Sequence, residues 1–160
     1  MQTTFTLSAP ISLTTKPAKP FMKWAGGKGQ LIEKLANLFP PEMQAGKITK
    51  YVEPFIGGGA LFFYIAQNYP SIESFFISDV NQELVLAYRT IQQEVESLIS
   101  LLTTLEKKYH SLDQPEQKDF FYQERVDFNK KLAGIDFKNS HENWIERTAT
   151  IILEPAHEAT

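Results

Sequence analysis

The sequence predicts an α/β fold with an open sheet, and three stretches carry that expectation. In Tyr51-Val52-Glu53-Pro54-Phe55-Ile56-Gly57-Gly58-Gly59-Ala60-Leu61 a short apolar run ends in a carboxylate, a rigid turn and three glycines, after which Ala60 to Ala66 shows apolar residues at helical spacing. That is strand, tight loop, helix. Ser74-Phe75-Phe76-Ile77-Ser78-Asp79 has the composition of a second buried strand closed by an acid. Ahead of both, Gly26, Gly27 and Gly29 precede a helix whose apolar face is Leu31, Ile32, Leu35, Leu38 and Phe39, stopped by Pro40-Pro41. A glycine loop that opens a helix at the carboxyl end of a strand is where open α/β sheets hold nucleoside-containing ligands.

Composition narrows the class. A chain of 160 residues suits one domain with one core, since a domain of this size buries roughly 70% of its unfolded surface. With 42% hydrophobic and 22% charged residues it is an ordinary globular chain, far from a disordered one. No apolar run approaches the ~20 residues that cross a bilayer, so no membrane partner is expected. The lack of cysteine excludes disulfides and thiolate metal sites, and His110, His141 and His157 are too scattered for a ligand pattern, so no metal is expected. The formal charge of −3 gives no general footprint for nucleic acid, although Lys16, Lys19, Lys23, Lys28 and Lys34 are offset only by Glu33 and allow a local basic face.

Residues 1–19 read as a flexible arm rich in Thr, Ser and Pro; they lack the charged start and apolar core of a secretory signal, which makes the cytoplasm the expected location. In Phe21 to Gln30, Met22 stands where a phosphate loop needs its first glycine and Gly29 follows Lys28 in place of Ser or Thr, so the Walker pattern fails at both ends. Two readings of this segment remain. Either the backbone approaches a ligand, with the Trp24 ring and the Lys28 ammonium at hand, or it is a glycine turn with Trp24 in the core and Lys28 in water. Asp79 lies about 20 residues beyond the glycine loop, the separation at which an acid reaches a ribose hydroxyl, and it is equally placed to cap a helix starting near Asn81. Ile91, Val95, Leu98, Leu102 and Leu105 predict one helix with a single apolar stripe, packed over the sheet. Asp113 to Glu116 reads as a loop, Phe120 to Asn129 as helix, and His141 to Leu153 as a last helix ended by Glu154-Pro155, with 154–160 a tail. No repeat and no second domain is expected.

Taken in order, Pro20-Phe21-Met22-Lys23-Trp24-Ala25-Gly26-Gly27-Lys28, Val52-Glu53-Pro54-Phe55-Ile56-Gly57-Gly58-Gly59 and Ile77-Ser78-Asp79-Val80-Asn81 resemble the motifs of adenine-specific DNA methyltransferases of the Dam and D12 class. Phe121-Tyr122-Gln123-Glu124-Arg125, Phe128-Asn129 and Ile145 to Ala149 are similar to the region that follows, so the resemblance runs from about Pro20 to Leu153. It implies a Rossmann-like S-adenosylmethionine-dependent methyltransferase fold over residues 20–153, with S-adenosyl-L-methionine as cofactor and double-stranded DNA as substrate. The family's cofactor contacts carry over to Trp24, Lys28 and Asp79. Around them, Glu53, Pro54 and Phe55 border the cofactor, and Gly57 and Gly59 let the backbone lie against its methionine portion. Glu53 and Lys28 either bind the zwitterionic end or pair with each other.

The chain departs from that family at the transfer step. Its Asp-Pro-Pro-Tyr motif, which presents the flipped adenine to the methyl group, has no counterpart here. The only Pro-Pro pair, Pro40-Pro41, is preceded by Phe39 and followed by Glu42, so neither the acid nor the aromatic residue is in its place. No catalytic residue is therefore assigned. The expectation is the cofactor-binding half of the enzyme, with an incomplete sheet, whose active unit needs a second polypeptide. The alternative is a truncated, non-catalytic cofactor-binding module. A dinucleotide-dependent enzyme is disfavoured because Phe62 stands where G-x-G-x-x-G requires its last small residue.

Overall fold

A computed structural model describes residues 2–6, 17–22, 28–139 and 143–157 of the chain. The chain forms two compact units, Met1–Asn81 and Gln82–Thr160.

The first unit contains the sheet. Its described elements are β1 (Gln2–Thr6), a 3-10 turn (Lys28–Leu31) running into α1 (Ile32–Ala36), α2 (Pro41–Gln44), β2 (Lys50–Glu53), α3 (Ala60–Asn68) and β3 (Ser74–Ser78). The sheet order is β1-β3-β2, with β2 parallel and β1 antiparallel to β3. Residues 2–6, read from sequence as part of a flexible arm, are thus an edge strand; three of the five are threonine, whose branched side chain suits extended backbone. The helix expected through Phe39 ends at Ala36, and Pro41 opens α2, where its missing N–H costs nothing.

Parallel pairing sets Tyr51 against Phe75 and Glu53 against Ile77, so these four share one face while Val52 and Phe76 share the other. Phe75 and Ile77 are buried, whereas Val52 and Phe76 are 65% and 37% exposed. β3 is therefore buried on alternate residues and not throughout, as its apolar run suggested. The core beneath is Met43, Ile65, Tyr69, Ile72 and Phe75, joined by Phe39, Tyr51, Leu61 and Phe62. Phe75 sits edge-on to Phe62 of α3, with ring centres 5.4 Å apart. Truncating a buried Phe of this kind to Ala typically costs about 3–5 kcal/mol.

The second unit is helical: α4 (Gln82–Gln93), α5 (Val95–His110), α6 (Gln114–Lys131) and α7 (Asn143–His157). The stripe that predicts one continuous helix from Ile91 is broken at Glu94, where φ of −134° departs from the helix. α5 packs against α7, α4 and α6. Asp113 to Glu116 is a helix start, not a loop. The Asp113 carboxylate accepts from the Glu116 N–H, and the Glu116 carboxylate accepts from the Asp113 N–H, both at 3.0 Å. Beyond Glu154-Pro155, α7 continues to His157. A proline within the last turn removes only one hydrogen bond near an end where pairing is already fading.

Arg147 holds this unit together. Its Nε donates to Glu83 Oε2 at 2.6 Å, Nη2 to Glu83 Oε1, and Nη1 to the Phe128 carbonyl at 2.9 Å, while the guanidinium lies 3.7 Å from the Phe128 ring centre. One side chain thus ties α7 to the first turn of α4 and to α6. Nearby in sequence, Trp144 is buried and donates its indole N–H to the Asp136 carbonyl at 2.7 Å.

Candidate functional site

The loop between β2 and α3 is shaped by two left-handed glycines, Gly57 at φ 53° and Gly59 at φ 78°. Such backbone is natural for glycine and costs other residues about 1–2 kcal/mol. Gly59 is the N-cap of α3 and has no side chain with which to cap it, so the first-turn N–H groups receive no side-chain acceptor from that position. The Gly59 N–H donates to the Ile56 carbonyl and its own carbonyl accepts from Phe63, both at 2.9 Å, which closes the loop onto the helix.

Three hydrogen bonds fasten the loop to the end of β3. The Ile56 N–H donates to the Ser78 carbonyl at 3.0 Å, and Ser78 Oγ donates to the Pro54 carbonyl at 3.1 Å. The third comes from Gly57, whose N–H donates to Asp79 Oδ2 at 3.0 Å. Asp79 Oδ1 also accepts from the Asn81 N–H at 2.9 Å, so one carboxylate joins the glycine loop to the turn after β3. A carboxylate accepts at about four lone-pair positions, and these two contacts leave it able to accept more.

Glu53 ends β2 directly before the loop and is 3% exposed. Its Oε2 accepts from the Tyr51 hydroxyl at 2.9 Å. Burial, then the Glu53 charge and this hydrogen bond, push the Tyr51 phenol well above its ordinary range, so it remains a donor at any working pH. Pro54 and Phe55 are exposed at the rim, and Gly57 is half-buried.

Of the residues singled out from sequence, Glu53, Pro54, Phe55, Gly57, Gly59 and Asp79 are gathered at the carboxyl ends of two adjacent parallel strands. Lys28 opens the 3-10 turn, which packs beside α3; Trp24 and the Lys28 side chain lie outside the described residues. Sequence reasoning missed Tyr51, although its position two residues before Glu53 puts both on one face of a strand.

In the helical unit a cleft of about 260 Å³ is lined by Leu101, Leu105, Phe128 and Ile135, with Lys131 and Glu146 among its polar groups. Those two pair with each other at 2.8 Å, which raises the Lys131 pKa, and both are well exposed. Among the described residues no group of His, Asp and Glu could hold a metal ion, and no helix is long and apolar enough to cross a membrane.

A model of the family described as D12 class N6 adenine-specific DNA methyltransferase matches residues 24–153. The chain is 45% identical over 118 residues to the Type II methyltransferase M.MjaIII of Methanocaldococcus jannaschii, a match covering 74% of this chain and 40% of that protein. It is 37% identical over 139 residues to the Type II methyltransferase M1.LlaDCHI of Lactococcus lactis subsp. cremoris, covering 76% and 45%. Against a DNA adenine methylase of Haemophilus influenzae it is 30% identical over 118 residues, covering 74% and 36%. The chain spans less than half the length of these relatives.

Proposed function

The chain belongs to the D12 class of N6 adenine-specific DNA methyltransferases, and from that premise we propose that residues 20–153 are the S-adenosylmethionine-binding part of an enzyme that methylates N6 of adenine in double-stranded DNA. The family implies a methyl donor; its identity as S-adenosyl-L-methionine is what the resemblance implies, and the loop supports a nucleoside ligand. The observation that carries it is the Asp79 carboxylate at the end of β3, joined to Gly57 of the loop and retaining acceptor capacity for a ribose.

The local chemistry fits a zwitterionic nucleoside. Glu53 supplies a buried carboxylate for the ligand's ammonium, and the uncapped N-terminus of α3 supplies N–H donors and positive potential for its carboxylate. Gly57 and Gly59 let the backbone approach the methionine chain, with Pro54 and Phe55 at the rim. Trp24 and Lys28 complete the set by family resemblance. When bound, the donor supplies an electrophilic methyl group on a sulfonium; this chain's residues bind and orient it.

The chain contains no Asp-Pro-Pro-Tyr segment. The groups that receive the flipped adenine therefore come from a further polypeptide segment, and the enzyme acts in the cytoplasm. Transfer of label from tritiated S-adenosylmethionine to duplex DNA tests this. The purified chain alone should leave adenine unlabelled, and co-expression with a polypeptide that supplies the Asp-Pro-Pro-Tyr segment should place the label on adenine N6. Methylation by the chain alone would refute the division of labour.

A further inference from the structure

We infer that Tyr51 is a positioning residue for the amino-acid end of the methyl donor, acting through Glu53; the inference rests on the donor reading of the loop. Tyr51 and Glu53 lie two residues apart on the same face of β2, and the Tyr51 hydroxyl donates to Glu53 Oε2 at 2.9 Å. The tyrosine ring is itself fixed. It meets Phe75, its register partner on β3, edge-on at 6.0 Å, and Phe75 in turn meets Phe62 of α3 at 5.4 Å. The hydroxyl is therefore aimed by the core.

A glutamate side chain is flexible, and ordering it when ligand arrives weakens binding. Here it is held beforehand by a donor on the same strand. The Tyr51 hydrogen bond uses one of the roughly four acceptor positions of a carboxylate, a group that can share itself between a phenol and an ammonium. A phenol kept protonated by burial and by the neighbouring charge cannot turn into a competing anion at working pH. Tyr51 would then matter for the ligand's ammonium and not for its adenosine.

Tyr51→Phe keeps the ring and removes the donor. Titrations use two probes: S-adenosylmethionine, and methylthioadenosine, which shares the adenosine and lacks the amino-acid end. Tyr51→Phe should weaken the first about tenfold, the order expected for one hydrogen bond to a charged group, and leave the second unchanged. In a Glu53→Gln background the same change should add nothing. Glu53→Gln alone, which keeps an acceptor for Tyr51, should abolish most of the preference for S-adenosylmethionine over methylthioadenosine. Equal weakening of both probes, undiminished binding of S-adenosylmethionine, or an additive loss in Glu53→Gln would assign Tyr51 to packing only. Wild-type chain that binds neither probe would remove the donor reading as well, which separates the two failures.

Discussion

Asp79 and Glu83 are carboxylates four residues apart that are used in opposite ways. Asp79 accepts from two neutral backbone N–H groups, one of them in the glycine loop, and is only half-buried. Glu83 is gripped by Nε and Nη2 of the Arg147 guanidinium, whose side chain is 3% exposed. A carboxylate held by a cation in that fork geometry is committed to structure. One held by backbone donors keeps its net charge unpaired by that contact and can still meet a ligand. Substitutions near Glu83 should therefore change stability, and substitutions near Asp79 should change binding.

The largest expected effect tests the structural half. Arg147→Ala leaves Glu83 without its fork and the Phe128 carbonyl without a donor, and should cost about 3 kcal/mol in urea unfolding. Glu83 retains some solvent contact, with its side chain 22% exposed, which keeps the loss at the lower end for a broken pair. A loss below about 1 kcal/mol would mean the knot is solvated and the contrast with Asp79 is false.

Next comes the loop. Gly59→Ala forces a Cβ into backbone at φ 78° and should cost about 1–2 kcal/mol, with ligand affinity falling at least as far as stability. Unchanged affinity in a folded variant would show that the loop conformation does not serve the ligand. The smallest effect is the control. Asp113→Ala removes the capping box of α6 and should lower stability by about 1 kcal/mol in thermal unfolding, leaving ligand affinity as it was.

The region from Tyr51 to Asp79 is legible in sequence because each signal there is local. Strand, glycine loop and helix follow one another, and an acid closes the next strand at the expected distance. What was hidden elsewhere has specific causes. β1 is built mostly of threonine, so it carries the backbone preference of a strand without the apolar run that announces one. The break at Glu94 falls inside a stripe whose spacing stays in phase on both sides. The capping box was present as Asp113-Gln114-Pro115-Glu116, a helix-start pattern that polarity disguised as a loop. The ion pair of Arg147 with Glu83 spans 64 residues and has no sequence signature. Within the loop, sequence placed Asp79 either at a ribose or at a helix start. Its bond to Asn81 belongs to the turn leading into α4, and its bond to Gly57 adds a role that spacing alone does not contain.

The proposed binding of S-adenosylmethionine by the loop between β2 and α3, held by Asp79, is open to calorimetric titration of the purified chain. One site per chain is predicted, weakened more than about tenfold in Asp79→Ala, which removes the acceptor for Gly57 and for the ribose together. A folded wild-type chain that takes up no ligand, or an Asp79→Ala variant that binds as well as wild type, would contradict it.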